Sequence, residues 1–131
     1  YDMHLVFTGV TRNSRNVLRE VSNNIDNSLP LLKTVEDAYD ALYNKDYDSF
    51  LEWLNVSWQQ KKDTTPTITE NQIVKDIDIN LSNNTTVVAH KLCGAGNGGF
   101  FLVFSESNSL NIPYESVKID VTSDGIIGKK L

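Results

Sequence analysis

The chain has 131 residues, a formal net charge of −5 and a pI near 4.9, with 40% hydrophobic and 22% charged residues. That length suits one domain with an ordinary hydrophobic core. An acidic balance without a clustered basic surface excludes a phosphate-backbone binder, so nucleic acid is not an expected partner. No run approaches the ~18 consecutive apolar residues of a membrane span.

Met3–Thr8 is rich in β-formers and ends at Gly9, which predicts a strand followed by a turn. Ser14 can cap a helix whose Val17, Leu18, Val21 and Ile25 share one stripe. Pro30 suits the first turn of the next helix. There Leu31, Leu32, Val35, Ala38 and Leu42 form an apolar face, with Glu36, Asp37 and Asp40 outside. A third helix buries Phe50, Trp53, Leu54 and Trp58 and ends in polar Gln59–Asp63. Thr69 and Gln72 have the spacing of a capping box, with Ile68 and Ile73 in the flanking staple positions. Ile73, Ile77 and Leu81 then carry a fourth helix to Ser82–Asn84.

Beyond Asn84 the apolar period falls from about 3.6 to 2. Thr86–Leu92 and Phe100–Phe104 predict strands on either side of a glycine cluster. Ser105–Pro113 is polar and turn-rich, with room for a short helix. Val117, Ile119 and Val121 alternate as a half-buried strand, Asp124-Gly125 marks a hairpin turn, and Ile126-Ile127 adds an edge. A strand, then helices, then strands describes an α+β domain, its helices on one face of an antiparallel sheet.

Four of the seven glycines fall in Gly94-Ala95-Gly96-Asn97-Gly98-Gly99. Such density demands either a turn with positive φ angles or a close approach of the backbone to another surface. The spelling matches G-x-G-x-x-G, but a dinucleotide site needs a helix next, and Phe100–Phe104 is a β run. No Gly-Lys-Ser/Thr closes the run, so a Walker A loop is excluded as well. A glycine-rich hairpin and a loop offering backbone N–H groups to an anion both remain open.

The other chemistry-bearing residues are sparse. His4 and His90 lie in predicted strands without a Cys/His/carboxylate cluster at metal-ligand spacing, so hydrogen-bonded strand histidines are expected and a metal site is not. Cys93, the only cysteine, excludes an intrachain disulfide; it reads as a buried small hydrophobe in a reducing, cytoplasmic setting. Trp53 and Trp58 read as core aromatics. Lys61 and Lys62 end their helix, where cations favour the dipole. Arg12 follows the first strand, in a link that faces either a cleft or solvent. No carboxylate pair stands out as a general acid and base, so no catalytic residue is expected within the chain.

Lys91-Leu92-Cys93-Gly94-Ala95-Gly96-Asn97-Gly98-Gly99-Phe100 resembles the C-terminal glycine motif of the GHMP kinases, which include galactokinase, homoserine kinase, mevalonate kinase and phosphomevalonate kinase. In particular it resembles the heptose-phosphate and fucose kinase branch, where Lys-(Leu/Ile)-x-Gly-Ala-Gly-Gly-Gly-Gly-Phe is usual. Leu5-Val6-Phe7-Thr8-Gly9-Val10-Thr11-Arg12 looks like that branch's strand and Thr-Gly-x-x-Arg turn. Trp58-Gln59-Gln60-Lys61-Lys62 is similar to its Trp-x-x-Lys-Lys helix end. Two positions depart from the pattern: Asn97 replaces a glycine, where its amide could crowd a phosphate path, and His90 replaces a small residue.

The resemblance implies a ferredoxin-like α+β C-terminal domain of an ATP-dependent sugar or sugar-phosphate kinase. The ATP-phosphate loop, the acidic catalytic residue and most contacts to ATP and Mg2+ would lie in an N-terminal half. Residue 1 is Tyr and a β run begins almost at once, so residues 1–131 are expected to be one domain cut just before a strand and inactive alone. Its partners would be its own N-terminal kinase domain and a small sugar or sugar phosphate. Gly94, Ala95, Gly96, Asn97, Gly98 and Gly99 would line the nucleotide and substrate cleft, with Arg12 and Lys61 as secondary contacts and no metal ligand. The alternative is a free-standing α+β ligand-binding or interaction module, which predicts no large exposed apolar face.

Overall fold

In the computed structural model the first strand, β1 (Asp2–Phe7), sits in the middle of the sheet. The structure describes residues 1–10, 29–64, 66–94, 97–122 and 125–130. The helix expected from Ser14 to Ile25, Arg12, two residues of the glycine cluster (Ala95 and Gly96) and the turn residue Asp124 lie outside them.

Two helices follow, α1 (Leu29–Tyr43) and α2 (Tyr47–Thr64), then a 3-10 turn (Pro66–Thr69) and α3 (Gln72–Asn83). Strands β2 (Ala89–Leu92), β3 (Phe100–Ser105), β4 (Val117–Thr122) and β5 (Gly125–Lys130) complete the chain. The sheet order is β2-β3-β1-β4-β5 and every neighbouring pair is antiparallel. The expected α+β class is therefore the observed one. Its first four strands have the ferredoxin-like order, and β5 extends the sheet beyond β4.

Between β3 and β4, residues 106–116 form turns and irregular backbone, and the short helix allowed for there is not formed. Leu110, Ile112 and Tyr114 instead pack against the core. Asn80 Nδ2 donates to the Tyr114 hydroxyl at 2.7 Å, and Asn84 Nδ2 donates to the Asn111 carbonyl at 2.9 Å. Those bonds moor the loop to the end of α3.

The two-residue strand period divides the apolar residues between the faces of the sheet. Val6 lies opposite Phe101, and Phe101 opposite Leu92. With Val103 they form one core with Trp58 of α2, Ile68 of the 3-10 turn, and Val74, Ile77 and Leu81 of α3. Each such side chain, fully buried, contributes about 1.5–3 kcal/mol. On the opposite face Ala89 and Phe104 meet Leu51, flanked by Met3, Phe50, Leu54 and Leu102. Helix α2 thus touches both faces, passing along the β2 edge. There Asn55 behaves like a neighbouring strand: its Nδ2 donates to the Val88 carbonyl at 3.0 Å and its Oδ1 accepts from the His90 N–H at 3.2 Å. An edge satisfied in this way is closed to pairing with another chain.

Two local expectations are corrected. Helix α1 forms, but Leu32, Val35 and Leu42 of its apolar stripe are exposed, Leu32 by 65%. The reason is position: α1 packs on α2 rather than on the sheet, through buried Thr34 and Ala41. Thr34 Oγ1 donates to Gln60 Oε1 at 2.6 Å. The N-cap of α3 is Asn71, not Thr69. Asn71 Oδ1 accepts from the N–H groups of Ile73 at 2.9 Å and Val74 at 3.3 Å. That choice rotates Val74 inward and leaves Ile73 exposed, so no staple joins Ile68 to Ile73.

Candidate functional site at the glycine loop

β1 and β3 deliver their ends to the same place. Thr8 N–H and Thr8 Oγ1 both donate to the Gly99 carbonyl at 2.9 Å, and Gly99 N–H donates to the Val10 carbonyl at 2.9 Å. The Val10 N–H returns to Thr8 Oγ1 at 3.2 Å, and Gly9, with φ +76°, lets the chain turn. At the other end of the glycine loop, Cys93 N–H donates to the Phe100 carbonyl at 2.8 Å. Lys61, at the end of α2, donates its ammonium to the Gly94 carbonyl. The Thr-Gly turn, the Lys-Lys helix end and the glycine cluster are far apart in sequence, and they meet around one loop.

Positive φ explains the described loop glycines that carry it at its two ends. A Cβ at Gly94 would meet nothing within 4 Å, and one at Gly99 only the Cys93 carbonyl at 3.7 Å. Their φ angles are +88° and +93°, a conformation that costs an L side chain about 1–2 kcal/mol. Asn97 adopts φ +59°, which asparagine tolerates better than most residues.

The loop has an outer and an inner part. Cys93 and Gly94 are exposed, whereas Asn97 and Gly98 are buried. Asn97 N–H donates to the Ile68 carbonyl at 2.6 Å, and Asn97 Oδ1 accepts from the Asn71 N–H at 2.6 Å. Its amide is therefore turned toward α3. The amides of Cys93, Asn97 and Gly99 all have partners within the fold, so residues 97–99 do not offer an uninterrupted anion-binding run. Positive charge lies at the outer part instead. Burial, then the charge of Lys91, holds the Lys61 ammonium below the ordinary lysine range, with Cys93 pulling the other way.

Beside the loop, on the sheet face away from α3, Phe7 and Phe100 are 50% and 45% exposed, with ring centroids 4.8 Å apart. Farther along that face a groove of about 580 Å³ is lined by Met3, Leu42, Tyr47, Phe50 and Leu102, among others. Leu42 of α1 lines that groove, and Leu32, Val35, Tyr39 and Tyr43 of the same helix are exposed as well.

The sequence patterns did not single out Asp78. It is 6% exposed. Its Oδ1 accepts from Trp58 Nε1 at 2.7 Å and lies 2.7 Å from His90 Nε2, and its Oδ2 accepts from Lys62 Nζ at 2.8 Å. Burial pushes this carboxyl up, but the bonds from His90, Lys62 and Trp58 outweigh it and hold it at about 2. Lys62 also lies 5.2 Å from the Trp58 ring centroid. The consecutive lysines thus divide the work: Lys61 reaches the loop and Lys62 reaches Asp78. His90 occupies its unusual position as a partner of this carboxylate, which joins α2, α3 and β2. A carboxylate on the inward stripe of a helix, with Val74, Ile77 and Leu81, was the available signal.

Two residue expectations are corrected by the packing. His90 is hydrogen-bonded, but both ring nitrogens of buried His4 lack a partner among the described residues. Burial holds the His4 ring below the ordinary histidine range, Asp2 opposing and Lys118 adding to the effect. Cys93 is exposed rather than buried. Among the described residues no group of three His, Cys, Asp or Glu side chains could hold a metal ion, and no helix is long and apolar enough to cross a membrane.

No family model and no curated sequence matches the chain. Among solved structures, the L. major mevalonate kinase in complex with R-mevalonate is similar with a TM-score of 0.61 at 17% sequence identity. The match covers 82% of this chain and 34% of that one. The chain thus matches about a third of the kinase's length, and the likeness is one of fold. It is the fold that the glycine, Thr-Gly and Lys-Lys motifs imply.

Proposed function

We propose that this chain is the C-terminal domain of a GHMP-type small-molecule kinase that transfers a phosphoryl group from ATP to a hydroxyl of a sugar or sugar phosphate. The observation that carries the reading is the convergence of three motifs on the glycine loop. Phosphoryl transfer depends mainly on positioning and on stabilising charge. In this reading the loop from Gly94 to Gly99 walls the nucleotide and substrate cleft. Lys61 fixes its outer part, and the Lys61–Lys91 pair supplies positive potential near the phosphates. In this reading the N-terminal half would hold the metal, most of the ATP and the catalytic acid. The motif spellings favour the heptose-phosphate and fucose branch over a mevalonate-like acceptor.

The exposed apolar face favours this reading over a free-standing binding module. A domain made to work alone would leave little reason for Phe7, Phe100 and the groove beyond them to face water, whereas a docked N-terminal half would cover them. The test is to assay the longer protein encoded by the gene with ATP against heptose phosphates, fucose and mevalonate, beside the 131-residue chain. Turnover with a sugar or sugar phosphate by the longer protein only is the expected result. Tight ATP or sugar-phosphate binding by the short chain alone, without turnover by either, would establish the binding module instead.

A further inference from the structure

We propose that Asn97 is a positioning residue: it lies within the glycine loop, faces away from its outer part, and fixes the loop's path by completing the N-cap of α3. Its ligand role rests on the reading that this loop walls a cleft.

In a capping box the N-cap side chain serves an N–H in the first turn, and the N3 side chain returns to the N-cap's own N–H. Asn71 performs the first half toward Ile73 and Val74. The N3 residue is Val74, which has no acceptor to return. Asn97 supplies it from 26 residues away, its Oδ1 2.6 Å from Asn71 N. The backbone of the same residue donates to Ile68, a fully buried member of the core. One residue thus ties the loop to segment 68–71 through both its main chain and its side chain, and Asn97 itself is only 2% exposed.

The substitutions separate the parts of this device. Glycine at 97 suits φ +59° but removes the acceptor, and alanine strains the backbone as well. Aspartate keeps the acceptor and places negative charge at a helix N-terminus, where it is favourable. The departure from glycine that threatened to crowd the phosphate path is instead a brace directed away from it. The inner part of the loop and the start of α3 then move as one unit, while the outer Cys93-Gly94 part is held separately, by Cys93 N–H on the Phe100 carbonyl and by Lys61 on the Gly94 carbonyl.

Amide hydrogen exchange on this chain and on N97G, N97A and N97D tests the coupling. N97G and N97A are expected to speed exchange at Asn71, Gly98 and Gly99 about tenfold relative to Lys91, the loss of one buried hydrogen bond. N97D is expected to stay within about threefold of the parent chain. Faster exchange at Asn71 alone, a uniform change at all amides, or N97D behaving like N97A would overturn the proposal. If N97G and N97A fail to fold, the scalar coupling across the bond from Asn71 N to the Asn97 side-chain carbonyl carbon, measured in the parent chain, decides; its absence sinks the idea. In the longer protein, N97G should raise KM for MgATP about fivefold with kcat within about twofold, and N97D should restore it. An active kinase whose KM ignores N97G refutes the ligand role alone. A longer protein without phosphoryl transfer refutes the kinase reading and the ligand role with it, whatever the exchange result.

Discussion

The side-chain carbonyl of Asn97 accepts the backbone N–H of Asn71 at 2.6 Å, joining a loop between two strands to the first turn of a helix. Asn71 in turn caps α3 through its own side chain. Replacing Asn71 by alanine is expected to cost about 0.5–2 kcal/mol, as for other N-caps, and replacement by aspartate or serine much less. Urea unfolding of the three variants would check the ranking; equal stability of N71A and the parent chain would show that the cap contributes nothing.

Asp78 sets the largest stability effect. D78A removes the acceptor shared by Trp58, His90 and Lys62, leaving a half-buried ammonium and an indole N–H without a partner. A loss of about 3–5 kcal/mol is expected, enough to abolish cooperative unfolding in a marginal domain. W58F, which retains most of the core packing and removes only one donor, should cost about 1–3 kcal/mol. Chemical denaturation of both variants distinguishes the hub from a surface ion pair, whose removal would cost under about 1 kcal/mol.

The adjacent lysines should respond differently. K62M is expected to destabilise the fold and to raise the Asp78 carboxyl, because it removes one of the donors that hold it at about 2. K61M is expected to leave that carboxyl unchanged and to speed exchange around Gly94, whose carbonyl loses its ammonium. Titration of the Asp78 side-chain carbon signal by NMR reads both variants, and identical titrations in K61M and K62M would contradict the division.

Acid should weaken the fold in two stages. His4 is held below its ordinary 6.5 by burial, so the folded state resists its protonation. Its contribution is complete above pH ~6.5 and declines as pH falls below that value. Asp78, ordinarily at 3.8, stands at about 2 in the fold. Its contribution, about 2 kcal/mol, is complete above pH ~4 and is lost as pH falls toward 2. Urea midpoints between pH 8 and pH 3 should show both declines, with the upper one missing in H4Q. A midpoint that is flat from pH 7 to pH 5 in the parent chain would refute the histidine assignment.

At Gly94 the open space around a Cβ leaves only backbone strain to be measured. G94A is expected to lose about 1 kcal/mol and G94N about half of that, since asparagine accepts left-handed φ more readily. Thermal melts of the two variants test the order; a G94A loss of several kcal/mol would point to a close contact.

The local pattern of the chain was enough to place most elements and their class. Runs of β-formers marked β1 and β3, alternation marked β4, apolar spacing marked α1, α2 and α3, and the β run at Phe100–Phe104 removed the dinucleotide reading of the glycines. These are properties of neighbouring residues, and neighbouring residues determine them. Tertiary structure decided the rest. Whether α1 buried its stripe depended on its packing against α2 and not the sheet, which no spacing records. The cap of α3 moved to Asn71, where a residue 26 positions away could satisfy its N–H. Asp78 became a buried hub because Trp58, Lys62 and His90 come from two other elements, and a carboxylate can be buried only where donors converge. The glycine cluster was legible from its composition as either a tight turn or a loop of close approach. That Thr8 meets it follows from the antiparallel register that brings the end of β1 to the start of β3; that Asn97 braces a helix and Lys61 reaches Gly94 follows from where α3 and α2 pack.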